Sequence, residues 1–569
     1  LPSSIVNAAA ITSGGPTQDF TSAALNGKTP TGCFVTVTRG TALGNDVAGG
    51  ILSHGASDFT NTWCVGTGAE DNVAIGSVPD SSHVESTTEI VQLFAVTATV
   101  VDGAATVAAI AGGIRLTWTN FPSTAVQVIV RLIYDEDFAV GSLACSTTLD
   151  DTAPVSGLDF EPTAIEFASV KDAVGSGVGS HGVLSLGSGA FNADGSLNGQ
   201  WAVTHFDADN PTTQTHVGKI ARVGAVSEHL TVNAATGAAS SDAYYELTSR
   251  TSDGFVLTTR GGGGHAHTVF WAARKAGNLR AWASLEIVDT SATGNKTVTP
   301  GFPPGEIVVV PTITDGANID TVVATESSSI GIGADCLDGT AKCTAASVED
   351  GANPSDTYSV TSNAFAALGV VGATDWNATV TARGDTTFTF NVSKASVLGL
   401  DALVGFLVIE AGKQPARRTV TGSRGAEPVP HPPGHGTPGG ARHATTLAQP
   451  APLQPAPAPR PPAAKVAHGG VAARQSAPHG PGPHPAASAQ PHPARARASP
   501  TGRFVQNVAA AVIREMTRFR LARLVRLRWR PLPLPPEDTA PDPIGQENVL
   551  KGRISAPGLV RGRIVEGGL

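Results

Sequence analysis

Along the first 412 residues, apolar and polar positions alternate in short runs, the period of a strand with one buried face. Thr386-Thr-Phe-Thr-Phe-Asn-Val392 places Phe388, Phe390 and Val392 on one face and polar side chains on the other. The runs from Gln127 to Tyr134 and from Phe255 to Arg260 behave alike, and clusters of Gly, Asn, Asp and Ser bound such segments. No stretch of a dozen residues before Gly412 carries a helical period. Thr, Val and Ala dominate, and the charged i,i+4 pairs of exposed helices are missing. The pattern predicts an all-β region.

Self-similarity gives that region its architecture. Three segments open with a Pro-led turn into a strand: Thr29-Pro-Thr-Gly-Cys-Phe-Val35, Phe160-Glu-Pro-Thr-Ala-Ile-Glu-Phe167 and Phe302-Pro-Pro-Gly-Glu-Ile-Val-Val309. A small-residue strand follows each, at Gly50–Gly55, Gly182–Gly187 and Ser329–Gly333. Pro30 to Pro162 and Ile51 to Val183 are both offsets of 132, and Trp63 to Trp201 is 138, while the third segment lacks an equivalent Trp. Each segment ends in a hairpin-like pair: 113–118 with 126–134, 254–259 with 266–273, and 386–390 with 402–409. The expected organisation is an N-terminal segment 1–28 and three tandem antiparallel β-sandwich-like modules at 29–145, 146–290 and 291–412. Each is large enough for a core of its own, so the modules are expected as beads, with thin aliphatic cores because aromatics are only 5%.

Charge and proline divide the chain at the point where the third copy closes. Residues 1–412 hold 16 Lys+Arg against 40 Asp+Glu, and residues 413–569 hold 22 against 7. Of the prolines, 27 of 40 lie in the last 157 residues. Residues 413–502 read as a disordered Pro/Ala/His-rich linker that cannot bury enough surface to offset its ordering entropy. Within 503–530, Phe504, Val508, Val512, Met516 and Phe519 recur at helical spacing among eight arginines, which predicts a basic amphipathic helix. Such a helix suits an anionic membrane, nucleic acid or the acidic β region. Residues 531–569 read as mostly disordered. The same bias is what a GC-rich gene yields when read out of frame, a second reading of the whole tail. Met516 is the one methionine, so the chain is expected to be processed or part of a longer reading frame. No apolar run reaches the 18–20 residues of a membrane helix.

The repeated residues resemble a family of tailed-phage and metagenomic viral proteins with a GFxPxxVxF opening, an SxDGFTL strand and a closing YxALGG strand. Gly157-Leu-Asp-Phe-Glu-Pro-Thr-Ala-Ile-Glu-Phe167 is similar to the opening, Thr251-Ser-Asp-Gly-Phe-Val-Leu257 to the SxDGFTL strand, which follows a Gly-rich middle strand in the family, and Val404–Gly412 to the close. The first module departs from it at Thr29-Pro-Thr-Gly-Cys33. The resemblance implies a place in a virion and carries no catalytic residues.

Candidate chemistry is sparse. In Gly261-Gly-Gly-Gly-His-Ala-His267, His265 and His267 would share a strand face, as two metal ligands do, with His205, His216 or His229 as a third. The plainer reading is a Gly-rich loop with polar edge histidines. Asp207-Ala-Asp-Asn210 has oxygen ligands but not the Gly and distal Glu of a calcium loop. Cys336 and Cys343 are spaced to bridge a hairpin, whereas five cysteines is an odd count and buried thiols are the default. Asn295, Asn377 and Asn391 begin glycosylation sequons, which matter only in a secreted chain. No Walker loop, GxSxG elbow or HExxH is present, and the acidic β region argues against nucleic-acid binding there. No cofactor and no small-molecule substrate is expected. The leading expectation is a non-enzymatic virion component (tail, fibre or particle surface) that pairs with itself or with other virion proteins. A secreted or cell-surface protein binding host glycans is the alternative, and a polysaccharide-degrading enzyme the third. All three place the protein in a virion or outside the cell.

Overall fold

The computed structural model describes residues 3–412 except 8–15, 41–45, 70–80, 96–99, 172–177, 208–216, 234–238, 262–266, 276, 290–291, 315–318, 323–327, 349–354, 360–364, 371–372 and 395–400. The linker 413–502, the basic helix 503–530 and the segment 531–569 lie outside the described residues. The described part is all-β, with no α-helix and one 3-10 turn, Ala23–Leu25.

The first copy comprises β1 (Ser3–Asn7), β2 (Thr17–Thr21), β3 (Gly32–Arg39), β4 (Asp46–Ala48), β5 (Leu52–Ser57), β6 (Thr62–Ala69), β7 (Ser81–Ser86), β8 (Val91–Phe94), β9 (Val101–Ile110), β10 (Gly113–Asn120) and β11 (Val126–Ile133). The second comprises β12 (Asp137–Cys145), β13 (Thr152–Val155), β14 (Ala164–Ser169), β15 (Gly179–Ser180), β16 (Gly182–Phe191), β17 (Leu197–Asp207), β18 (Val217–Val223), β19 (Ser227–Val232), β20 (Ala239–Thr251), β21 (Gly254–Arg260) and β22 (His267–Lys275). The third comprises β23 (Ala281–Val288), β24 (Gly294–Val298), β25 (Pro304–Thr314), β26 (Ser328–Asp335), β27 (Ala341–Val348), β28 (Ser355–Ser359), β29 (Ala366–Val370), β30 (Ala373–Arg383), β31 (Phe388–Lys394) and β32 (Asp401–Glu410).

Each copy builds a larger sheet and a four-stranded one, in the same order. The larger sheets run β1-β11-β3-β5-β6-β7, β12-β22-β14-β16-β17-β18 and β23-β32-β25-β26-β27-β28. The smaller run β2-β10-β9-β8, β13-β21-β20-β19 and β24-β31-β30-β29. In every larger sheet the last strand returns beside the third, the spatial order of a Greek key. All named strand pairs are antiparallel.

Two expectations are corrected by this pairing. Strands β12 and β23 join the sheets of the following copies, and β1 and β2 join the first, so the copies divide near 135 and 280 rather than at 145 and 290. Pattern alone missed this because β12 follows β11 after a three-residue turn. The closing pairs are also not hairpins. β10, β21 and β31 lie in the smaller sheets, whereas β11, β22 and β32 cross to the larger ones.

The modules are not beads. Strands β3, β14, β16 and β26 are buried along their whole length, on both faces. One face packs on the smaller sheet of its own copy: Val35, Val37, Ile114 and Leu116 share one cluster, and Phe167, Phe255 and Leu257 another. The other face enters a central cluster drawn from all three copies, including Phe34, Trp63, Leu186, Trp201, Phe270, Val308, Ile332 and Leu407. Antiparallel sheets usually leave one face to water. Here the small-residue strands let the larger sheets approach closely.

Three arms lock the arrangement. The segment after the third strand of each copy leaves its own module and meets the outermost strand of another. β4 of the first copy pairs with β28 of the third, and β15 of the second with β7 of the first. Ile319 of the third bridges Ala221 in β18 of the second. First to third, second to first and third to second is a closed cycle, the connectivity of a ring of three. It also covers sheet edges that would otherwise invite pairing with other chains.

The repeated glycines mark a close approach of the larger sheet to the smaller one in each copy. A Cβ at Gly55, Gly187 or Gly333 would sit 2.3, 2.1 and 2.1 Å from the carbonyl oxygens of Ile90, Val226 and Phe365, equivalent positions in the three copies. Replacing Gly187 by Ala must push the two sheets of the second module apart. The expected cost is about 1–3 kcal/mol, read as a lower urea midpoint for the variant.

Candidate functional site

The junction of the three larger sheets holds the densest chemistry of the described residues. Arg131 in β11 donates from Nη2 to both carboxylate oxygens of Glu166 in β14, each at 2.6 Å, and from Nη1 to Glu306 Oε1 in β25 at 3.1 Å. Arg274 in β22 donates from Nη2 to Glu306 Oε2 at 2.8 Å, and from Nε and Nη2 to Glu136 at 2.8 and 3.1 Å. The network therefore ties a strand of each copy to the turn between the first two. The arginines and all three glutamates are buried. Burial pushes the Glu166 and Glu136 carboxyls up, with Arg131 and Arg274 opposing. Burial disfavours the Arg274 charge, but Glu136 and Glu306 hold the guanidinium protonated well beyond its usual range. The Arg131 guanidinium also lies 3.9 Å over the Phe34 ring.

Tryptophans key two of the three seams. Trp63 in β6 donates its indole N–H to the carbonyl of Trp271 in β22 at 2.9 Å, and Trp201 in β17 donates to the carbonyl of Phe406 in β32 at 2.8 Å. Strand register makes these equivalent: Ala56↔Trp63, Ser188↔Trp201 and Ala334↔Lys342 occupy the same rung of their sheets. The third seam therefore carries Lys342 where the others carry Trp. A cavity of about 30 Å³ lies there, lined among others by Lys342, Ile129, His54, Arg131 and Val308. It has room for about one or two waters.

All six described histidines are buried, and they concentrate at these seams. His205 Nδ1 shares a hydrogen bond of 2.7 Å with Ser328 Oγ at the start of β26 in the next module. Burial first, then Lys219, lowers the His205 pKa to about 3. His54 pairs with Thr36 Oγ1 at 2.9 Å and is likewise lowered to about 3, by burial and by Arg131. His83 in β7 shares 2.6 Å with the His181 carbonyl beside the arm of the second module.

Of the sequence candidates, His265 lies outside the described residues, as do His216 and 208–210. His267 is buried at the start of β22, with Nε2 2.9 Å from Asp242 Oδ2 and Nδ1 3.1 Å from the Lys171 carbonyl. Both ring nitrogens are thus engaged by protein. His229 stacks on it at 3.8 Å, and burial together with His267 and His83 holds His229 neutral. Among the described residues no group of three or more His, Cys, Asp or Glu gathers to hold a metal. Cys336 and Cys343 are buried thiols outside any disulfide, the default reading and not the bridge that their spacing allows. Cys343 lies opposite Gly333, whereas Cys336 follows Ile332 and Ala334 into the central cluster, so the two thiols face opposite sides of the sheet. Asn295, Asn377 and Asn391 sit together on the smaller sheet of the third module, and Asn391 Nδ2 donates to Asn295 Oδ1 at 2.9 Å.

The third module also has an open cleft of about 380 Å³ between the β26–β27 turn and β30. Asp335, ion-paired to Arg383, faces Thr379 and Thr381 there. Burial raises the Asp335 pKa to about 6 against the pull of Arg383.

Sequence reasoning overlooked Arg131, Glu166, Arg274 and Glu306. Their signal was available in part: Arg131, Glu166 and Glu306 are each the one charge of a mostly apolar strand, and Arg274 directly follows the apolar run Val269–Ala273. Comparison with protein-family models, curated proteins and solved structures gave no match to this chain.

The seam histidines set a pH dependence. A His lowered from 6.5 to about 3 on folding binds its proton only in the unfolded chain over that window, so stability falls as pH drops below about 6.5. For His205 the loss between pH 7 and pH 5 is about 2 kcal/mol. His205→Asn keeps a polar partner for Ser328 but cannot titrate. Its stability, measured by urea unfolding, should fall about 2 kcal/mol less than that of the parent over that interval.

Proposed function

We propose that this chain is a non-enzymatic structural component of a phage-like virion, built from three β-sandwich modules, each a larger sheet packed on a smaller one. The observation that carries the reading is the cycle of exchanged arms. Selection has put three copies in one chain and joined them into a closed body, which suits a part whose work is shape and repeated contact. The residues spent most heavily, the Arg131/Arg274 network and the two tryptophans, join modules to one another. The resemblance of the opening and closing strands to tailed-phage proteins supports the same placement.

A glycan-binding surface protein is the second reading, favoured by the third-module cleft. Asp335, Arg383, Thr379 and Thr381 offer acceptors and donors matched to sugar hydroxyls, in a space of ordinary ligand size. The two readings separate by immunogold electron microscopy of the producing culture with antibody to residues 1–412. Label on particles at a fixed position is expected, and label on cell envelopes with none on particles would overturn the virion reading. Binding to a glycan array that Asp335→Asn reduces at least tenfold would establish the second.

A further inference from the structure

We propose that the seam between the third and first modules is where the ring opens, and that the surfaces it frees pair with the same seam of a second copy of this chain. Three observations converge there. The first and second modules are joined through residues 134–136 and the second and third through 276–280, while no segment of 3–412 joins the third to the first. The indole keys of the two linked seams have no counterpart in the third, where Lys342 stands on the equivalent rung. The cavity of about 30 Å³ lies against Lys342, at the same place.

Across this seam Phe34 and Ile129 pack with Val308 and Ile332, and polar contacts are added to that packing. β4 and β28 exchange three residue pairs, Asp46↔Tyr358, Val47↔Thr357 and Ala48↔Asp356. Arg131 bonds Glu306 across it, and Thr344 Oγ1 reaches Thr38 Oγ1 at 3.5 Å. The arm pairing here, three residue pairs, is no shorter than the two pairs and the single bridge at the other seams, so the arms do not set this seam apart. The other two seams add an indole buried against the facing module, with Trp63 5.7 Å from the Phe270 ring and Trp201 against Gly405.

The occupant follows from the cyclic connectivity. Each module offers an arm to one neighbour and an outer strand to the other, so the contact is head-to-tail. An opened chain bears β4 and β11 at one end and β27 and β28 at the other, surfaces already complementary. Two such chains satisfy both ends at two seams, and nothing new has to be made. The inference concerns assembly alone and holds whether the protein belongs to a virion or to a cell surface.

The test places one cysteine pair across each of two seams of the full chain: Val47→Cys with Thr357→Cys, and Ser82→Cys with Ser180→Cys. The parent, whose five described thiols are buried and outside any disulfide, is the blank. Oxidation after storage at high concentration, read on non-reducing gels, should give at least tenfold more covalent dimer from the first pair than from the second. Adding Lys342→Trp to the first pair should cut its dimer at least tenfold. Independently of any variant, backbone amides of 355–359 should exchange with deuterium at least tenfold faster than those of 81–86. Equal dimer yields from the two pairs, no dimer from either, or equal protection of the two strands would each overturn the proposal.

Discussion

Burial of both faces of the larger sheets is the constraint from which the rest of this structure follows. A sheet with one covered face is satisfied by its own small sheet, and three such units would be strung along the chain. Here the second face is also largely apolar, carrying Phe34, Trp63, Trp201 and Phe270 among smaller residues. It has to be covered, and among the described residues the other two larger sheets cover it. The copies therefore close on one another, and the arms follow from that closure by occupying the edges it brings together.

The junction is not purely apolar, and its charges do a different kind of work. Replacing a buried ion network by well-packed apolar residues is often neutral or stabilising, so Arg131, Glu166, Glu306 and Arg274 are weak evidence for stability. Their value lies in their placement. Strand register puts Arg131, Ala272 and Leu407 on equivalent rungs, beside Phe34, Glu166 and Val308. Each copy presents a different chemistry at the axis, so any exchange of modules would leave a buried charge without its partner, a loss of about 3–5 kcal/mol. A duplicated chain that kept identical faces would have no such rule against wrong pairings. Divergence at the junction specifies the order in which the copies meet.

The same divergence leaves the seams unequal. Tryptophan supplies area and one directed N–H to the facing main chain, and two seams have it. The third has a lysine, a small void and no covalent tie. Histidines buried at the seams add a sensitivity to acid, since opening them to water allows protonation that the closed form resists. Two seams are thereby keyed by an indole, and the third carries Lys342 beside a small cavity.

Much of this was legible in the residues. Alternation showed strands, a constant offset between Pro30 and Pro162 and between Ile51 and Val183 showed copies, and the break in charge and proline located the end of the β region, because each depends on local order along the chain. The partners of those strands did not follow from local order. Whether β12 closes one copy or opens the next, why Trp63 and Trp201 recur and Lys342 replaces them, and why charges interrupt apolar strands are questions about residues far apart in the chain, 306 positions for Thr38 and Thr344. An alternating strand says which face is apolar but not what covers it. The covering was decided only when three sheets met, because a face that local order leaves open to solvent or to another molecule became the inside of the same one.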